Sequence, residues 1–176
     1  QTPTALAITD FDVQHGAKQR SYIRYLDVSL NSSNGLDDIL TTLLDANPSN
    51  DRLRLQRFEL DGSGPGQTIS LGGHASAVDQ AIQIDFGSAG ITGNSNSSAG
   101  DGYYALEFDL DGDGVLESVR NFYRLLGDSN GDRIGSVADY IDVSKKNGSR
   151  GNNLDQDLNG DGVVAECCGC CRAVGQ

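Results

Sequence analysis

Three segments of this chain repeat one spacing of side-chain oxygens. The first runs Asp109, Asp111, Asp113, Gly114 and Glu117. The second runs Asp128, Asn130, Asp132, then Ser136 and Asp139. The third runs Asp157, Asn159, Asp161 and Gly162. Oxygens at positions 1, 3 and 5 of a sharply turning loop, with a backbone carbonyl at position 7, wrap around a cation of calcium's size. The position-7 carbonyls belong to Val115, Ile134 and Val163. Without a cation, carboxylates this close repel one another, so a bound ion would fix each loop. The second loop has its position-12 carboxylate, Asp139, but Arg133 stands at position 6, where Gly is usual. The third has Gly162 and Val164 as expected, and Cys168 at position 12, with Glu166 or Asp155 as candidate substitutes.

The acid usage agrees with this chemistry. Of 25 acidic residues only four are Glu: Glu59, Glu107, Glu117 and Glu166. Helical surfaces favour Glu over Asp, whereas Asp-rich loops suit hard cations. Calcium is the expected cofactor.

GDSNGDRIGSVADYIDV followed by DLNGDGVV, from about Gly127 to Val164, resembles the dockerin type I repeat pair of secreted bacterial proteins. In that family each repeat is a calcium loop and a helix, and the pair docks onto a cohesin partner. The resemblance carries over Asp128, Asn130, Asp132 and Asp139 in the first repeat, and Asp157, Asn159 and Asp161 in the second. The second repeat lacks the family's helix, because the tail AECCGCCRAVGQ replaces it. The stretch from Gly93 to Asp128 also resembles the sandwich region that adjoins such repeats.

The elements that must carry these loops read mainly as strands. SYIRYLDVSL, RLRLQRFEL, Thr68 to Leu71, Ala81 to Phe86, Tyr103 to Leu110 and Val115 to Leu126 are short apolar runs parted by Gly/Ser/Asn/Asp clusters. Leu36, Ile39, Leu40, Leu43 and Leu44 recur at helical spacing, and Asn47–Pro48 ends that helix. Val137 to Lys146 is a second helical stretch. The expected fold is an antiparallel, Ig-like β-sandwich (1–126) with one crossover helix. A small dockerin-like, EF-hand-like calcium unit (127–166) and a Cys-rich tail (167–176) follow.

Length and charge set the outer bounds. The chain has 176 residues and a net charge of -12. A chain of this length buries roughly 70% of its unfolded surface, enough for a core without metals or disulfides. Its acidity and the absence of a basic run exclude a nucleic-acid partner. No apolar run approaches the ~20 residues of a membrane span. The chain has no Met, even at position 1, so it is expected to begin at a processed or a trimmed end, with a secretory leader as one candidate for the lost piece. Cys167, Cys168, Cys170 and Cys171 allow three disulfide pairings, bonds to a neighbouring chain, or a zinc or copper site; they also resemble a tetracysteine tag without its proline.

No catalytic set is visible, so the chain is not expected to be an enzyme. His15 and His74 each stand alone and read as solvated loop residues. Tyr22, Tyr25, Tyr103, Tyr104 and Tyr123 read as packing or sheet-edge residues, with a sugar platform as the alternative. Asn31, Asn96 and Asn147 open N-x-S sequons. Two functions remain. The first is a secreted, extracellular or cell-surface structural protein. It would polymerise with itself when an N-terminal arm (1–13) adds as a strand to a neighbour's sheet. In its own chain that segment is equally readable as the first strand. The second is a carbohydrate- or surface-binding module, with a polysaccharide ligand and a cohesin-like scaffold partner.

Overall fold

The computed structural model describes residues 5–32, 35–93, 97–152 and 154–165. Its architecture is mainly β. Eight strands form two antiparallel four-stranded sheets, and the described residues contain two α-helices. The strands are β1 (Ile8–Val13), β2 (Tyr25–Leu30), β3 (Leu53–Phe58), β4 (Gln67–Ile69), β5 (Ala75–Val78), β6 (Ala81–Asp85), β7 (Gly102–Phe108) and β8 (Ser118–Arg124). The first sheet has the order β1-β2-β6-β5 and the second β4-β3-β7-β8.

Alternation fixes the register. Leu26, Val28 and Leu30 of β2 are buried, and Val28 sits opposite Ile82 of β6. In the second sheet Leu53 and Leu55 of β3 lie opposite Phe108 and Leu106 of β7. A one-residue slip would turn each apolar set to solvent. These residues join one hydrophobic cluster that draws on both sheets. Phe122 of β8 lies 6.0 Å from Phe11 of β1 and stacks on Tyr104 at 5.1 Å.

Helix α1 (Leu36–Leu43) links β2 of one sheet to β3 of the other and buries Leu36 and Leu43 in that cluster. Asp37 and Asp38 occupy its first turn, where the helix dipole favours negative charge. Helix α2 (Val137–Lys146) starts at a capping box between Ser136 and Asp139. A small separate cluster of Val143, Leu158 and Val164, with Leu154 against it, ties α2 to the third acidic loop. Val163 bridges Arg150 in antiparallel fashion.

Two local expectations change. Ser21 to Ile23 belong to no strand, because both Tyr22 and Ile23 are buried where alternation would expose one of them. The segment expected to serve as a donor arm is engaged at home. Ile8–Val13 pairs with β2 as an edge strand, and Asn31 clamps the residues before it by donating to Ala5 O and accepting from Ala7 N. Residues 1–4 of the arm lie outside the described residues.

Candidate metal centre

The first acidic loop is the β7–β8 connection, the second joins β8 to α2, and the third follows α2. All three share one hydrogen-bond scheme. The position-1 carboxylate accepts from the backbone N–H groups of positions 4 and 6. These are Gly112 and Gly114 on Asp109 (2.7 and 3.0 Å), Gly131 and Arg133 on Asp128 (2.6 and 3.0 Å), and Gly160 and Gly162 on Asp157 (both 2.8 Å). The position-3 oxygen of Asp111, Asn130 or Asn159 accepts from the N–H two residues on, and so does Asp113, Asp132 or Asp161 at position 5. These Asx turns curl the chain so that alternate oxygens face one centre.

The curl needs left-handed backbone at positions 4 and 6. Gly112 and Gly114 have φ of +80° and +87°, and Gly160 and Gly162 +75° and +81°. Arg133, the departure noted in the sequence, takes the same conformation at +71°. Its guanidinium lies 5.3 Å from the centre of the Tyr123 ring, a cation–π contact that offsets part of the backbone cost.

The first loop is the tightest acidic group. One oxygen from each of Asp109, Asp111, Asp113 and Glu117 lies within 4.8 Å of the others, the only such group of three or more among the described residues. Glu117 also accepts from the N–H of Leu110. An all-oxygen, all-carboxylate set suits a hard divalent cation rather than a soft one. Asp109 is buried while its partners are exposed, so an ion here would be reached from solvent.

In the second loop Asp128 is fully buried and accepts a further hydrogen bond from Tyr123 Oη at 2.8 Å. Burial, then this bond to Asp128, push the Tyr123 hydroxyl well above its usual range. Asp139 is not gathered into an equally tight group with Asp128 and Asp132. Its two oxygens accept from the N–H and Oγ of Ser129 and of Ser136. Burial alone would raise its pKa, yet these four bonds hold it below the usual carboxylate range. In the third loop Asp157 is buried and Asp161 exposed. Asp155, the candidate substitute, instead accepts from the N–H of Lys18. Glu166 and the four cysteines lie outside the described residues.

Each loop is seated on the two-sheet body through its position-4 glycine. A Cβ on Gly112 would fall 2.5 Å from both Nη atoms of Arg52, and one on Gly131 would fall 2.5 Å from Lys18 O. The segment before β2 forms the seat for the second and third loops. Arg20 N donates to Asp128 O, and Ser21 Oγ donates to Leu158 O while accepting from Gly127 N. Ser21 gave no sequence signal for this role.

The remaining singled-out residues have structural partners. His15 Nδ1 is 2.8 Å from Asp27 Oδ2 and its ring packs on Tyr25; His74 Nδ1 is 2.9 Å from Asp85 O. Both histidines are therefore held rather than freely solvated. Tyr22, Tyr104 and Tyr123 are buried. Of the sequons, Asn31 spends its amide on Ala5, Asn147 caps α2, and Asn96 lies outside the described residues. No described helix is long and apolar enough to cross a membrane. Compared with known proteins, the chain matches no family model, and no curated protein or solved structure gives a significant match.

Proposed function

We propose that this chain is a secreted, calcium-braced structural module that assembles with copies of itself outside the cell. The observation that carries this is the common hydrogen-bond scheme of the three acidic loops, each closed on one position-4 glycine. Calcium in the loops would neutralise the buried Asp109, Asp128 and Asp157, and so lock the C-terminal unit to an Ig-like sandwich. Asp109, Asp111, Asp113 and Glu117, with the Val115 carbonyl, are the first site. Asp128, Asn130 and Asp132, with the Ile134 carbonyl and Asp139, are the second. Asp157, Asn159 and Asp161, with the Val163 carbonyl, are the third.

Self-assembly rests on the open edges of the sheets. β1 and β8 are the long edge strands, and a neighbour can add to such a row of unpaired backbone groups. With residues 8–13 already paired to β2, addition would run edge to edge rather than through a free arm. Particle size by light scattering and negative-stain imaging, in calcium and then in excess chelator, tests this. Long particles that shorten in chelator support it, and uniform monomers in both conditions contradict it.

A second reading is favoured by α2. Val137, Tyr140 and Ile141 are exposed along one face, and exposed Ile134 precedes them. An apolar helical stripe of this kind suits a scaffold partner, as the dockerin resemblance implies. Monomers in calcium that bind a cohesin-type protein, and lose it on Val137→Asp, would favour this reading over self-assembly.

A further inference from the structure

A cleft of about 480 Å³ opens where the Gln14–Gly16 turn, the segment leading into β2 and the third acidic loop meet. Its size falls in the range of roughly 300–1,000 Å³ common to small-molecule sites. Three features make it more than a surface dip.

The turn that forms one wall is strained. Gln14, His15 and Gly16 have φ of 55°, 51° and 78°, so two consecutive non-glycine residues are left-handed. Such backbone persists only where its surroundings hold it, and it concentrates at functional clefts. Here Asp12 accepts from Gly16 N, and Gln14 Oε1 accepts from Arg24 N and Tyr25 N.

The second feature is Gln14 itself, only 5% exposed. Two N–H donors on one amide atom require that atom to be the oxygen, so the orientation of the amide is fixed. Its Nε2 is then left without a hydrogen bond among the described residues, in a side chain that lines the cleft. That donor opens on the cleft, where a ligand oxygen can accept from it. Tyr25 lines the same cleft, and its hydroxyl also makes no hydrogen bond among the described residues.

The third feature is the charge balance. Arg24 is committed to Asp85 by two bonds of 2.7 and 2.8 Å, while Asp157 and Asp161 stand on the opposite wall. With calcium in the third loop those two carboxylates are balanced by one divalent ion, and the described lining offers an anion no uncommitted side-chain cation. An apolar group would leave Gln14 Nε2 unsatisfied. A neutral molecule rich in hydroxyls meets both needs, accepting from Gln14 and Tyr25 without adding charge to the cleft.

We propose that this cleft binds a neutral saccharide unit, independently of whether the module polymerises. The test is titration of the isotope-labelled full chain, in calcium, with cellotetraose, xylotetraose, maltotetraose and mannotetraose, following the Gln14 side-chain amide resonances. At least one should shift them saturably. Gln14→Glu keeps the oxygen that holds the turn and removes the donor; Tyr25→Phe removes only a hydroxyl. Each should weaken binding by about fivefold, the loss of one neutral hydrogen bond. The proposal is overturned by no saturable shift with any of the four. A shift undiminished in both variants overturns it too, as does a shift produced only by an anionic tetragalacturonate.

Discussion

Gly160 lies directly against the phenol ring of Tyr22. A Cβ at Gly160 would fall 2.5 Å from Tyr22 Cδ1 and closer still to Cε1 and Cζ. The third acidic loop can sit on the body only because position 4 has no side chain. Tyr22 cannot yield easily, since it is buried and its hydroxyl donates to Ser88 O at 3.2 Å.

Gly160→Ala should therefore destabilise the protein through both overpacking and left-handed strain, by about 2–4 kcal/mol together. Gly162→Ala meets only Gly151 O at 3.7 Å and should show the backbone cost alone, about 1 kcal/mol. Urea unfolding of both variants checks this. Equal losses would show that the Tyr22 contact is not tight.

Arg124 and Asp101 form a buried ion pair at 2.8 Å, and Arg124 Nε also donates to Ser21 O, beneath the seat of the loops. Arg124→Met leaves the Asp101 carboxylate without its cation and should cost about 3–5 kcal/mol. Adding Asp101→Leu should recover part of that loss. A double variant no better than the single one would mean that Arg124 acts through Ser21 rather than through charge.

Asp85 is held below the usual carboxylate range, chiefly by its hydrogen bonds with Arg24. A depressed folded pKa means that the unfolded chain binds more protons, so stability rises with pH through that window. The contribution is complete above the unfolded value, about 3.9, and fades as pH falls through the lower folded value. Acid melting curves of the native protein and of Asp85→Asn should converge as pH falls below the ordinary aspartate range and separate above it. Parallel curves throughout would contradict the assignment.

Tyr123→Phe removes the hydroxyl bond to Asp128 and leaves the ring under Arg133. Calcium affinity of the second loop should fall by about three- to tenfold, one hydrogen bond's worth, with little change at the other loops. Calorimetric titration with calcium reads this directly.

Much of the fold was legible in the sequence because its signals are local. The leucine spacing of 36–44 and the stretch 137–146 became α1 and α2, and the apolar runs became β2, β3, β4, β6, β7 and β8. β5 was missed because Ala75 and Ala77 are too small to give an apolar alternation. The acidic spacing placed the loop residues, but not the fate of Asp139, whose oxygens are claimed by serines at positions 2 and 9 of its own loop. The seat at Lys18 to Tyr22 and the cleft at Gln14 join residues more than a hundred positions apart. No local pattern announces such contacts.

The central claim is that calcium braces the fold. The most direct test is thermal unfolding of the full chain in excess chelator and across a calcium series, beside a variant carrying Asp109→Asn, Asp128→Asn and Asp157→Asn. The native protein should gain stability saturably, by about 2.7 kcal/mol per site at a hundredfold excess of ion over its Kd. The triple variant should gain almost none. Superimposable melting curves of the native protein with and without calcium would contradict the account.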